Sequence, residues 1–310
     1  MTVAPTQMPA EDARPDPQRW VVSDGLAIVG DHWGDPAHEP VLLLHGGGQN
    51  RHAWAATARK LVVADFFVVT VDARGHGDSE WDRLERYDME DMARDLLELA
   101  DRLGRPPAMV GASMGGMAAL WAQGMVAPRQ LFSSVTLVDV TPRMDLDGAT
   151  RIMDFMTANP GGFDSLDQAA DAIAAYNPHR PRSANTGGLT KVLRQGEDGR
   201  WRWRWDPAFM SSKAELMRSS REAAEARMDE MATQMLRAAA TITQPALLVR
   251  GALSDLVTDD AVAEFQAAVP HSDYVDVRNA GHMVAGDDND TFAAAIITFL
   301  DNCRSARTAR

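Results

Sequence analysis

The chain has a single cysteine, Cys303, in 310 residues. No intramolecular disulfide is then possible, and nothing in the sequence calls for an oxidising compartment. Positive charge is also short: 31 Lys and Arg stand against 44 Asp and Glu, a formal net charge of −13 at pH 7. That excess opposes binding to DNA, RNA or an anionic membrane surface. No stretch approaches the roughly 20 apolar residues of a membrane span. Residues 1–19 carry Pro5, Pro9, Pro15 and Pro17 among small and acidic residues and lack the apolar centre of a signal peptide. They are expected to form a disordered lead-in, and the protein is expected to be cytoplasmic. His32, His38, His52 and His179 have no ligand-like spacing to one another, so no metal site is expected. The acidic run Asp287-Asp288-Asn289-Asp290 is expected to cap the last helix rather than hold calcium.

What is present is a chain with 45% hydrophobic and 24% charged residues, enough to bury a large core. Two short apolar segments around an Asp-Gly pair at 20–33 predict an antiparallel hairpin. The runs at 41–44 ("VLLL"), 66–71 ("FFVVTV"), 108–110, 134–138, 246–250 and 274–277 are short and apolar, and they predict buried strands. Helical patterns lie between them, at about 53–63, 88–103, 115–125, 260–268 and 291–301. This alternation predicts an α/β fold with a doubly wound, mostly parallel sheet.

Residues 142–240 break the alternation, with helical patterns and a single strand-like run at 200–205. The expectation is a mainly helical cap inserted between core segments 20–141 and 241–310. Within it, "WRWRW" puts Trp201, Trp203 and Trp205 on one face of a strand and Arg202 and Arg204 on the other, as in a hairpin covering a cap core. Arg180, Arg182 or Arg194 is a candidate to receive a substrate carboxylate.

In open parallel sheets, ligands bind beyond the carboxyl ends of the strands. The residues there are His45-Gly46-Gly47-Gly48, then "DARGHGDS" at 72–79, "GASMGG" at 111–116, Asp139, "GALSD" at 251–255 and Asn279-Ala280-Gly281-His282. Gly111 and Gly115 flank Ser113 at two residues on either side, where a strand folding sharply into a helix leaves no room for a Cβ. "HGGG" lacks the lysine and hydroxyl residue of a phosphate-binding P-loop.

Taken in order, these motifs resemble the α/β-hydrolase fold family over nearly all of 20–301. "LLLHGGG" is similar to its oxyanion loop, "GASMGG" to its nucleophile elbow, and "GALSD" with "AGH" to its acid and histidine loops. The chain order Ser, Asp, His is the one this family uses. The resemblance implies that Ser113 attacks a carbonyl carbon, His282 carries the proton and Asp255 orients the histidine. It also implies an oxyanion hole from the N–H groups of Gly47 and Met114, a class of interaction worth roughly 3–4 kcal/mol per donor. Gly46 or Gly48 replaces Gly47 if the loop is shifted by one residue. Asp139 also follows a strand and is the rival acid; Asp255 is favoured because its Ser-Asp loop precedes His282 in the expected order. His45 and His76 are expected to shape their loops by hydrogen bonding.

The resemblance implies a serine hydrolase acting on a small-molecule ester of a hydrophobic or aromatic acid, with water as co-substrate and no cofactor. A serine at 113 argues against the aspartate-based dehalogenases and epoxide hydrolases of the family. Carbon–carbon hydrolases, lactonases, thioesterases and cofactor-free perhydrolases share the same triad, and a ligand-sensing receptor of this fold is the non-enzymatic alternative.

Overall fold

The computed structural model describes residues 13–177, 182–211, 220–283 and 289–308. Strands β1 (Asp16–Val21) and β2 (Ala27–Trp33) form the expected hairpin, paired antiparallel from Asp16↔His32 to Val21↔Ala27. Residues 16–19 therefore belong to the sheet rather than to a disordered lead-in, and residues 1–12 lie outside the described residues. Proline is compatible with such an edge strand, where the missing N–H faces solvent, and Pro17 sits in β1 on these terms.

The rest of the sheet is built from β3 (Glu39–Leu44), β4 (Phe66–Val71), β5 (Ala108–Ala112), β6 (Ser134–Val138), β9 (Ala246–Gly251) and β10 (Asp273–Val277). A two-stranded ribbon of β7 (Leu193–Gln195) and β8 (Trp201–Trp203) stands apart from it. The main sheet runs in the order β1-β2-β4-β3-β5-β6-β9-β10, and every pair from β4 to β10 is parallel. Burial on both faces explains the continuous apolar runs. Leu42, Leu44, Val69, Val71 and Met109 point into one core cluster, while Val41, Leu43, Val68 and Val110 point into the other, the two-residue alternation of a pleated strand.

Helices fill both sides. Helices α2 (Met89–Arg102), α3 (Met114–Val126) and α7 (Asp259–Ala268) contribute Leu96, Ala118 and Phe265 to the first cluster. On the opposite side, α1 (Ala55–Val63) and α8 (Ala293–Thr308) contribute Leu61 and Ile296. The chain reverses its direction of travel across the sheet between β3 and β5, which are neighbours. Crevices form at such a switch point, and it is here that the glycine loop after β3 and Ser113 after β5 come together.

The inserted block contains α4 (Leu146–Thr157), α5 (Leu166–Tyr176), a short 3₁₀ turn (Gly187–Lys191), the β7–β8 ribbon and α6 (Arg221–Ala239). It is not one unit above the sheet. Gly124 of α3 and Ala238 of α6 lie so close that a Cβ on Gly124 would sit 2.8 Å from the alanine Cβ, so α6 packs on a sheet-covering helix. The alanine-rich face of α6, with Ala224, Ala232 and Ala239 buried, permits that approach. The ribbon meets its expectation: Trp203 and Trp205 are buried and stack with ring centroids 4.8 Å apart, while Arg202 is exposed.

Asp287 and Asp288 lie outside the described residues. Asp290 is the acidic residue in the first turn of the 3₁₀ segment before the last helix, and its carboxylate accepts from the Thr57 N–H and hydroxyl of α1, both at 2.7 Å.

Candidate active site

Ser113 sits between β5 and α3 with φ 44° and ψ −115°, a conformation that costs a non-glycine residue energy and persists where the surroundings enforce it. The enforcement is visible on either side. A Cβ on Gly111 would lie 2.6 Å from the Gly116 nitrogen, and one on Gly115 would lie 2.6 Å from the Leu44 Cβ. The chain can fold from strand to helix only with glycine at both places, as the sequence implied. The Ser113 N–H donates to the Val138 carbonyl at 3.1 Å, which ties the elbow to the end of β6. The Ser113 hydroxyl has no hydrogen-bond partner among the described residues.

One residue past that contact, Asp139 has φ 50° and is almost fully buried. Its Oδ1 accepts from the Gly251 N–H at 2.9 Å, and its Oδ2 accepts from the Ser254 hydroxyl at 2.9 Å and from His282 Nδ1 at 2.7 Å. With Nδ1–H directed at a carboxylate, the other ring nitrogen of His282 is the one left to take up a proton.

The expectation that Asp255 orients His282 is not met. Asp255 forms an ion pair with Arg151 of α4 at 2.5 Å, and its side chain remains 28% exposed. The carbonyl of Asp255 faces α4 as well, 2.2 Å from where a Cβ on Gly148 would stand. The physical reason is a two-residue matter of reach. The 251–255 loop does meet Asp139, but through the Ser254 hydroxyl, and the next side chain lies toward Arg151 of α4. Sequence order leaves both aspartates open, since each lies between Ser113 and His282.

The glycine loop after β3 is held by two histidines. His45 Nδ1–H donates to the Gly46 carbonyl at 2.8 Å and its Nε2 accepts from the Ala73 N–H at 2.9 Å. His76 Nδ1–H donates to the Arg74 carbonyl at 3.0 Å and its Nε2 accepts from the Gly48 N–H at 3.2 Å. Each ring is thus a neutral Nδ1–H tautomer. Burial pushes the His45 imidazole below its ordinary range, against the pull of nearby Asp72, which agrees with the neutral form.

These bonds decide which amides are free. The Gly46 N–H donates to Gln49 Oε1 at 2.9 Å and the Gly48 N–H to His76, whereas the Gly47 N–H has no acceptor among the described residues. Nor does the Met114 N–H, the first of α3, as expected for a helix start. The loop lies against the elbow: a Cβ on Gly46 would be 3.4 Å from the Ser113 Cβ, and one on Gly47 would be 3.9 Å from the Met114 sulfur. Two donors without an acceptor among the described residues therefore lie beside Ser113.

The inserted block reaches this loop through a feature that the sequence did not disclose. The Gly77 N–H donates to the Arg204 carbonyl at 2.7 Å and the Asp206 N–H to the Gly75 carbonyl at 2.8 Å, which brackets His76 in an antiparallel bridge with Trp205. Asp78 joins Arg51 and Arg204, both at 2.8 Å, and Tyr87 donates to Asp206 at 2.5 Å. Phe209 packs edge-on against His76, with centroids 4.6 Å apart. The alternation in "WRWRW" identified a ribbon but not what its end would pair with.

Of the arginines expected to meet a substrate carboxylate, Arg182 is engaged by Asp167 at 2.9 Å and Asp171 at 2.5 Å, and Arg194 lies over the Trp81 ring. Arg180 lies outside the described residues. Among the described residues no group of three or more His, Cys, Asp or Glu could hold a metal ion, and no helix is long and apolar enough to cross a membrane.

Residues 39–288 match the family model of the alpha/beta hydrolase fold. The chain is similar to an esterase of Mycobacterium tuberculosis, at 32% identity over 273 residues that cover 84% of this chain and 82% of the relative. It is also similar to the 3-hydroxybutyrate-oligomer hydrolase of Cupriavidus necator, at 30% identity over 83% of this chain and 88% of the relative. Among solved structures, E-2-(acetamidomethylene)succinate hydrolase superposes with a TM-score of 0.74 at 25% identity, covering 93% of this chain and all (100%) of that one.

Proposed function

The chain belongs to the α/β hydrolase fold family, and we propose that it is a serine esterase that cleaves a carboxylic ester of a hydrophobic or aromatic acid through an acyl-enzyme on Ser113. The observation that carries this reading is the pair of N–H groups, Gly47 and Met114, that have no acceptor among the described residues and lie beside a serine in a strained elbow. Donors without an internal acceptor are costly to maintain, and they serve where negative charge develops on a carbonyl oxygen. Similarity to an esterase and to a 3-hydroxybutyrate-oligomer hydrolase supports the bond type.

In this reading Ser113 Oγ bonds to the ester carbonyl carbon while its proton passes to His282 Nε2. Asp139 keeps the Nδ1–H tautomer and steadies the imidazolium. The carbonyl oxygen, now an oxyanion, is received by the Gly47 and Met114 N–H groups. Collapse breaks the C–O bond, and the alkoxide leaves as an alcohol with the proton from His282. Water, giving its proton to His282, then attacks the acyl-enzyme and releases the acid and a restored Ser113. The α3 N-terminus adds its dipole to the same side of the reaction.

The test is a panel of p-nitrophenyl esters with short, long and aromatic acyl groups, together with labelling by a serine-directed phosphonate. Turnover, with one phosphonate bound and located by peptide mapping at Ser113, is the expected outcome. Neither turnover nor labelling would leave the site without an enzymatic role.

His76 gives a separate prediction. It sits between the inserted block and the Gly48 N–H, so removing it frees the loop that aims the Gly47 donor. His76→Ala is expected to lower kcat roughly 10- to 100-fold, short of the loss of a donor itself, with KM changed by less than about threefold, because the lost interaction acts in the transition state. His76→Gln, which keeps an acceptor, is expected to lose less. Steady-state kinetics on both variants checks the order.

A further inference from the structure

A second cleft, of about 310 Å³, lies at the seam between the inserted block and the core. None of Gly47, Ser113, Met114, Asp139 and His282 lines it. Its core wall is the start of α1 with the turn before it, and its other wall is α5 with the segment that leads to β7. Apolar side chains, among them Ala56, Ile173, Ala174 and Leu189, make up much of the surface, and Arg59, Lys191, Arg182 and His52 bring basic groups to it.

The charges are unevenly satisfied. Arg182 is neutralised by Asp167 and Asp171. Asp290, the one carboxylate on the lining among the described residues, accepts from Thr57. Arg59 has no ion-pair partner among the described residues, and its guanidinium rests over the Trp33 ring, 5.5 Å from the centroid. Lys191 has none either. In a chain of net charge −13, a partly apolar cleft with two cations that have no ion-pair partner among the described residues runs against the overall charge. His52 agrees, since burial first and then the positive charges of Arg51 and Lys191 push its imidazole down.

We propose that this cleft binds a small organic carboxylate with an apolar body, held by Arg59 and Lys191. The Arg59 guanidinium stands over the Trp33 ring and lines the cleft, and a guanidinium carries the paired N–H donors suited to a carboxylate. Lys191 contributes a second charge, and the alanine, isoleucine and leucine side chains take the apolar part. The site also touches the glycine loop's continuation: Asn50 Nδ2 donates to the Lys191 carbonyl at 2.6 Å, so a ligand that holds Lys191 holds this segment of the inserted block to the core.

The probe is 4-phenylbutyrate, with 4-phenylbutan-1-ol as its uncharged counterpart, titrated by calorimetry and protein NMR into the full chain carrying Ser113→Ala. Binding in that background does not depend on turnover, so this inference and the esterase reading fail separately. Saturable binding of the acid, at least about tenfold tighter than the alcohol, is expected. Arg59→Gln and Lys191→Gln should each weaken it about tenfold or more, Arg59→Lys should recover part of the loss, and raised salt should weaken it further. Lys191 is exposed, so Lys191→Gln reports on binding even if Arg59→Gln disturbs the Trp33 contact and folds poorly. Equal affinity for acid and alcohol, no saturable binding, or binding unchanged in Lys191→Gln and Arg59→Gln would overturn the proposal.

Discussion

Ser113→Ala is expected to lower kcat on any ester that the wild type turns over by about a millionfold, the scale at which loss of a nucleophile removes the whole covalent route. The residual rate above water would come from the donors and from binding alone. The protein should still fold, because alanine and serine differ by a hydroxyl that has no hydrogen-bond partner among the described residues, and the strained φ of 44° is imposed by the elbow on either side chain. The Tm is therefore expected to stay within a few degrees of wild type, and phosphonate labelling should vanish. A variant that kept even a hundredth of the activity would mean that another group attacks.

Asp139→Asn carries the second large effect. An asparagine in this place keeps one acceptor oxygen but offers an N–H₂, which favours the His282 tautomer with its proton on Nε2, the atom that must take the serine proton. The expected loss is roughly ten-thousandfold in kcat, seen most cleanly by comparing Asp139→Asn with Asp255→Asn in the same steady-state assay. Asp255→Asn should alter kcat/KM by less than about threefold. Its partner Arg151 is 56% exposed, and an ion pair with one member in solvent contributes on the order of 1 kcal/mol to stability. If Asp255→Asn proved the more damaging of the two, the hydrogen bond from His282 to Asp139 would not describe the working enzyme.

These two carboxylates show where reading the sequence reached its limit. The strands were legible because full burial on both faces demands unbroken apolar runs such as "FFVVTV", and β4 and β6 begin and end where those runs do. The elbow was legible because close packing around it leaves glycine as the only residue that fits at 111 and 115. The sequence alone left Gly46, Gly47 and Gly48 open as the loop's donor, and it is the tertiary hydrogen bonds of Gly46 and Gly48 that leave Gly47 as the one of the three without an acceptor among the described residues. The acid was not legible. Asp139 and Ser254-Asp255 end neighbouring strands β6 and β9, and which carboxylate points at the histidine depends on backbone angles that residue type does not reveal, the φ of 50° at Asp139 among them. The division of residues 142–240 was hidden for a similar reason. An alanine-rich helix suits a cap or a sheet-covering layer equally, and only the approach of Ala238 to Gly124 assigns α6 to the latter.

By itself, then, the sequence determined the α/β alternation, the sharp turn at Ser113 and the candidate histidine, because each depends on local sterics or on the hydrophobic period of a single element. Tertiary structure alone decided that Asp139 and Ser254 serve His282, that Arg204–Asp206 brace the loop around His76, and that Arg59 and Lys191 share one cleft. Those are pairings between residues far apart in the chain, and their distances are set by how the elements pack, a quantity that no run of neighbouring residues encodes.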